Sequence, residues 1–150
     1  MRRENSKQWI LTSIAVTVLC LVCMGAAQAV DPINIPDPNL LTNINLAIGH
    51  PPNDPIFLTD VQGTGFITLN ASHAYIFDLT GIETCTDLQN LDLHQNGFSD
   101  ITPLAALTGL LNLNLSLCSF SDITPLAACT NLQNLNLSQN SFSSITPLVN

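Results

Sequence analysis

The side chains best suited to catalysis or metal binding in this 150-residue chain are few. They are His50, His73 and His94, with Asp92 two positions before His94, and the cysteines Cys85, Cys118 and Cys129. Catalysis needs a nucleophile, a base and an orienting group in one place. A zinc site needs three or four converging ligands. His73, His94 and Asp92 fall in neighbouring segments of a repeat, with no cysteine beside them, so they read as solvated surface groups. His50 stands in the loop His50-Pro-Pro-Asn-Asp-Pro55. No catalytic site, no metal site and no cofactor are expected. Asn70-Ala-Ser72, Asn114-Leu-Ser116 and Asn136-Leu-Ser138 fit the N-glycosylation pattern. They recur because the surrounding segment recurs, and they read as strand residues.

The elements that must position these groups are repeats of 22 residues. Leu88, Leu110 and Leu132 share one column; Leu91, Leu113 and Leu135 the next; Leu93, Leu115 and Leu137 a third. Asn96, Cys118 and Asn140 follow, then Phe98, Phe120 and Phe142, Ile101, Ile123 and Ile145, and Pro103, Pro125 and Pro147. A degenerate coil over 66–87 keeps the apolar positions Phe66, Leu69, Ala71, Ile76, Leu79 and Ile82, with Ala74 in the asparagine column. Repeats over 88–109 and 110–131 and a partial one over 132–150 complete the array. Such self-similarity marks a solenoid in which each unit buries its apolar face on its neighbours.

Leu91 and Leu93 alternate with polar residues, as in a strand with one buried face. Asn96 can donate and accept at a tight bend, so Asn96, Cys118 and Asn140 read as a structural ladder. A thiol replaces one rung as a small apolar group with a weak donor. Asp78, Asp100 and Asp122 precede the turn that Pro103 and Pro125 occupy, placed to accept from its free N–H groups. Cys85, Leu107 and Cys129 share an apolar column. The two cysteines are two coils apart, about 9–10 Å at ~4.8 Å per strand. That exceeds the roughly 7 Å reach of a disulfide, so buried free thiols are expected.

The run Leu88-Gln-Asn-Leu91-Asp-Leu93-His-Gln-Asn96-Gly-Phe98-Ser-Asp100-Ile101-Thr-Pro103-Leu104 resembles the 22-residue leucine-rich repeats of bacterial internalins. The resemblance covers about residues 66–150. It implies an α/β repeat solenoid, with parallel β-strands on the concave face and 3₁₀ or turn segments on the convex face. It also implies a protein partner.

Ahead of the repeats, Asp37-Pro38 reads as an N-cap with proline at the first helical position, and Leu40, Leu41, Ile44 and Ile48 form one stripe before Gly49. A short capping helix over about 38–48, within a cap region 30–65, would cover the first coil. No such cap follows Leu137, so the last strand is expected to present an open edge. A truncated relative of a longer protein, or self-association through that edge, would each account for this.

The first 29 residues read as a signal peptide. Arg2, Arg3 and Lys7 precede an apolar stretch from Ile10 to Met24, and Ala27-Gln28-Ala29 forms a small-x-small cleavage site. The product would be secreted, periplasmic or at the cell surface, and not inserted in a membrane. Cleavage removes all three basic residues and one of the eleven acidic ones, so the formal charge moves from −8 to −10 with no Lys or Arg left. That surface repels phosphate backbones and excludes nucleic acid as a partner class.

The candidate binding face is the set of outward strand positions. One column holds Thr68, Asn90, Asn112 and Asn134; the next Asn70, Asp92, Asn114 and Asn136. A third holds Ser72, His94, Ser116 and Ser138, and a rim column His73, Gln95, Leu117 and Gln139. These are mostly amides and hydroxyls, with Leu117 the one apolar point and no aromatic or arginine anchor. Four strands present only ~300 Å², against roughly 800 Å² per partner in a standard interface. The expectation is a non-enzymatic, exported protein-interaction module. A remnant or self-assembling unit is the alternative, and a carbohydrate-contacting surface is less favoured.

Overall fold

In the computed structural model, which describes residues 31–149, four short parallel strands form one sheet in chain order. They are β1 (Thr68–Asn70), β2 (Asn90–Asp92), β3 (Asn112–Asn114) and β4 (Asn134–Asn136). The register is a strict 22-residue step: Leu69, Leu91, Leu113 and Leu135 face one another across the sheet. Backbone pairing continues past the strands. Leu93 N–H donates to Asn114 O at 2.9 Å and Gln95 N–H to Ser116 O at 2.9 Å. The first 29 residues, with the proposed cleavage site, lie outside the described residues. Residues from Pro32 onward form one compact unit.

The chain returns from each strand through a 3₁₀ segment: Ile82–Thr84, Thr102–Ala106, Thr124–Ala128 and Thr146–Leu148. Proline stands in the first turn of the last three, where its missing N–H leaves no partner lacking. Ahead of each segment sits an Asx turn and not a formal helix cap. Thr80, Thr102 and Thr124 N–H donate to Asp78, Asp100 and Asp122 Oδ1, each at 2.8 Å. In the last coil Ser144 Oγ takes the same role toward Thr146 N–H at 3.1 Å.

Between the two faces lies a column of stacked apolar side chains. Leu88, Leu93, Leu104, Leu107, Leu110, Leu115 and Phe120 are fully enclosed. Phe120 and Phe142 stack with ring centroids 6.4 Å apart. Leu132, Leu135, Leu137, Phe142 and Leu148, in the last coil, are only partly buried, since no described coil packs on them. Cys85, Cys118 and Cys129 are free and buried, as the column argument expects.

The other end is closed by helix α1 (Pro38–Ile48), with Asp37 as N-cap and Gly49 in the left-handed region as C-cap. Leu40 and Ile44 are its buried residues on the core side. A one-turn helix, α2 (Leu58–Val61), follows and buries Val61; Asp60 Oδ2 accepts from Phe57 N–H at 2.8 Å. The cap is held to the first coil by one carboxylate. Asp37 Oδ1 accepts from Asn39 and Leu40 N–H at 2.9 and 3.0 Å. Its Oδ2 accepts from Phe77 and Asp78 N–H, 40 and 41 residues away, at 2.8 and 3.2 Å. Asp37 is buried, and so is its bond from Leu40 N–H, while the other three bonds are partly buried.

Replacing Asp37 with alanine leaves four N–H donors without a partner, at ~1–3 kcal/mol for each one that is buried. The expected loss in equilibrium urea unfolding is about 1–3 kcal/mol, with Asp37→Asn intermediate because one acceptor oxygen remains. A loss below about 1 kcal/mol for Asp37→Ala would show that the cap is held by apolar packing alone.

Candidate functional site: the concave face

The sheet sets the spacing of the concave columns, and the side chains there bond mainly to one another. Asn134 Nδ2 donates to Asn112 Oδ1 at 2.6 Å, Asn112 Nδ2 to Asn90 Oδ1 at 2.6 Å, and Asn90 Nδ2 to Thr68 Oγ1 at 3.2 Å. This column is a continuous amide chain across all four strands. Asn90 and Asn112 each keep one N–H and one lone pair for a ligand, half of what an isolated asparagine would offer.

The second column closes the strands. Asn70 Oδ1 accepts from Ser72 N–H and Oγ at 3.1 and 2.8 Å, and Asn114 Oδ1 from Ser116 N–H and Oγ at 3.2 and 2.8 Å. Asn136 Oδ1 accepts from Ser138 N–H at 3.1 Å. Asp92 does the same with His94, taking its N–H at 3.0 Å and facing its Nδ1 at 2.9 Å. The spacing that reads as an N-glycosylation pattern is therefore an Asx turn ending each strand. Ser116, expected to face a ligand, is buried with its hydroxyl turned to Asn114.

Two imidazoles do meet at the rim: the His73 and His94 rings lie edge to face, centroids 4.4 Å apart. Among the described residues, no group of three His, Cys, Asp or Glu side chains converges to hold a metal ion. His50 is in the loop after α1, where its backbone N–H donates to Asn45 O at 2.8 Å.

The rim column has a backbone property that its residue types do not announce. His73, Gln95, Leu117 and Gln139 all have positive φ, at 55°, 55°, 61° and 59°. Glycine or asparagine would signal such a bend; these residues adopt it at a cost of order 1 kcal/mol each. Leu117 is also 44% exposed, making it the one large apolar side chain projected from this rim. The exposed aromatics Tyr75 and Phe77 lie outside the concave columns.

Directly after the rim come the ladder residues. Asn96 Oδ1 accepts from Ala74 and Ile76 N–H at 3.2 and 3.0 Å, and its Nδ2 donates to Ala71 O and Leu93 O at 2.9 and 2.8 Å. Asn140 repeats the pattern with Cys118 N–H, Leu115 O and Leu137 O. Cys118 keeps one bond of the set, its thiol donating to Leu93 O at 3.2 Å. Each rung thus reaches the carbonyl 25 residues before it. Where the rung is not asparagine, at Ala74 and Cys118, the next residue (Tyr75, Ser119) also turns to positive φ. Burial pushes the Cys85 thiol up to about 11 and raises Cys118 and Cys129, so none is an activated nucleophile.

Partial burial pushes the Asp92 carboxyl upward, but the His94 N–H and imidazole and the Asn114 amide outweigh it and hold it below the usual value of 3.8. Asp78, Asp100 and Asp122 are held low by the hydroxyl and N–H of Thr80, Thr102 and Thr124. A depressed folded-state pKa stabilises the fold above the unfolded value and loses that contribution as pH falls through the folded value. The urea midpoint should therefore decline as pH is lowered from about 5 to about 2. Asp92→Asn should decline less steeply than the parent, and parallel curves would remove Asp92 from the set.

Comparison with known proteins agrees with this geometry. A leucine-rich repeat family model matches residues 131–149. The fold is similar to that of an internalin (inlF) from Listeria monocytogenes, with 31% identity and a TM-score of 0.74, covering 83% of this chain and 37% of that one. It is similar to an internalin C2 (inlC2) from the same species, with 30% identity and a TM-score of 0.57, covering 79% and 62%. The functional domain of InlJ, described as including a cysteine ladder, shares the fold at 23% identity and a TM-score of 0.69, covering 77% and 25%. The chain spans less than two thirds of each of these proteins. No curated protein matches it.

Proposed function

Because the chain is a bacterial internalin-like leucine-rich repeat protein, we propose that it is a non-enzymatic, exported module that binds another protein through its concave face. The observation that carries this reading is the register of the sheet. It sets three columns of polar groups, mostly amides and hydroxyls with the Asp92 carboxylate among them, and a rim with one exposed leucine on four strands in fixed spacing. The buried thiols and the self-bonded amides support a binding role over a chemical one. No described helix is long and apolar enough to cross a membrane. Export rests on the N-terminal pattern of Arg2 to Ala29.

The amide chain shapes what kind of binding this is. Side chains already bonded to one another are pre-organised, so a partner orders few new rotamers. They also return little hydrogen-bond energy, because each new bond displaces one already made or a water. Leu117 is the apolar contact such a face offers, and it sits where truncation should matter most.

A photo-crosslinking residue at exposed Asn70, on the concave face of the first coil, should join the exported protein to a partner in its native setting. The same residue at exposed Ala128, on the convex face, should not. Equal adducts from both positions would remove the concave face as the binding surface. The exported chain carrying the adduct should begin at Val30; a start at Met1 would overturn export by cleavage.

A second reading is favoured by the last coil. Leu132, Leu135 and Leu137 are half-buried where Leu110, Leu113 and Leu115 are enclosed, leaving an apolar surface beside β4. A second copy pairing there would bury it. Light scattering should then give a dimer that Leu135→Asp dissociates, whereas a monomer across the concentration range would exclude the pairing.

A further inference from the structure

Of the seven glycines, one follows an asparagine: Gly97, after Asn96. We propose that the Asn96–Gly97 peptide is a site of spontaneous deamidation that the fold holds shut and that unfolding opens. The reaction needs no enzyme and no co-reactant other than water. The Gly97 backbone nitrogen attacks Asn96 Cγ, a C–N bond forms, and the Cγ–Nδ2 bond breaks. Ammonia leaves, carrying the proton that the Gly97 amide gives up. Water then opens the succinimide at either carbonyl, leaving aspartate or isoaspartate, with no change of oxidation state. Glycine favours the attack because it has no side chain to block it and few limits on φ and ψ.

Every atom that must move is held in the folded chain. Asn96 is buried, and its amide makes four hydrogen bonds, two through each end. The attacking nitrogen is occupied as well: Gly97 N–H donates to Ile76 O at 2.8 Å. The Phe77 ring covers the peptide from outside. A Cβ on residue 97 would lie 2.3 Å from Phe77 Cε1, so the ring rests on the bare glycine backbone. The matching positions in other coils are Tyr75, Ser119 and Ser141, so the bare glycine is particular to this coil. The ring that rests on it shields the reactive dipeptide.

The product cannot resume the role. An aspartate at 96 could still accept from Ala74 and Ile76 N–H, but it has no donor for Ala71 O or Leu93 O. It would place a buried negative charge against both carbonyls. An isoaspartate adds a methylene to the backbone at the bend itself. Conversion is therefore one-way for the fold, and each unfolding excursion carries a chance of permanent loss. Asn140, the equivalent rung, precedes Ser141 and lacks the feature.

The test incubates the purified protein in mildly alkaline buffer, folded or in urea, and follows Asn96 by peptide mass and by isoaspartate-specific methylation. Asn140 and Asn53 serve as internal comparators. Conversion at Asn96 should be about a hundredfold slower in the folded sample, because protection tracks the population of the open state. In urea Asn96 should convert well ahead of both comparators. Chains converted in urea should fail to regain the native unfolding midpoint after dilution, while unconverted chains from the same tube regain it. Equal rates with and without urea, or converted chains that refold normally, would overturn the proposal.

Discussion

Each coil must leave the sheet through a sharp bend, and the backbone groups exposed by that bend must find partners inside an apolar column. The rung side chain is where this requirement is met. Asn96 and Asn140 serve carbonyls of their own coil and of the coil before, and Asn96 also serves the N–H groups of Ala74 and Ile76. An amide suits the task because it donates and accepts from one rigid plane. A thiol at Cys118 meets it in part, keeping the bond to Leu93 O. Register, coil spacing and the alignment of the concave columns all follow from these cross-coil bonds together with the leucine columns they enclose.

The ends of the solenoid show the same requirement differently. The first coil has Ala74 where a rung would stand, so its bend borrows Asn96 from the next coil. Its remaining donors at Phe77 and Asp78 are taken by Asp37, which caps α1 with its other oxygen. A charged acceptor is stronger than a neutral one in such a place. The cap is thus joined to the repeats by polar bonds as well as by Leu40 and Ile44. At the last coil no described element supplies the matching partners, and the leucines there stay half-buried.

On the concave face, the regularity that builds the columns also spends their hydrogen bonds. Asn134, Asn112 and Asn90 form a chain ending at Thr68, and the second column is committed to Asx turns. What the face offers a partner is shape, a few remaining donors and acceptors, and Leu117. Small area and satisfied amides both limit affinity for a surface of this size.

Much of this was legible in the residues alone. The 22-residue columns specify which side chains are enclosed, because a solenoid repeats its burial with its sequence. Asp37-Pro38 and Gly49 mark the ends of α1 through local backbone chemistry, and the cysteine column marks buried thiols through the neighbours it shares. Other features arise only when the coils are stacked. The positive φ of His73, Gln95, Leu117 and Gln139 is imposed by the bend between paired strand and rung, and no glycine or asparagine announces it. The amide chain and the second half of Asp37's bonding join residues 22 or more apart, so they have no local signature. Composition and periodicity determine what lies inside the column; only the three-dimensional stacking decides which polar groups are already spent on one another and which remain free to bind.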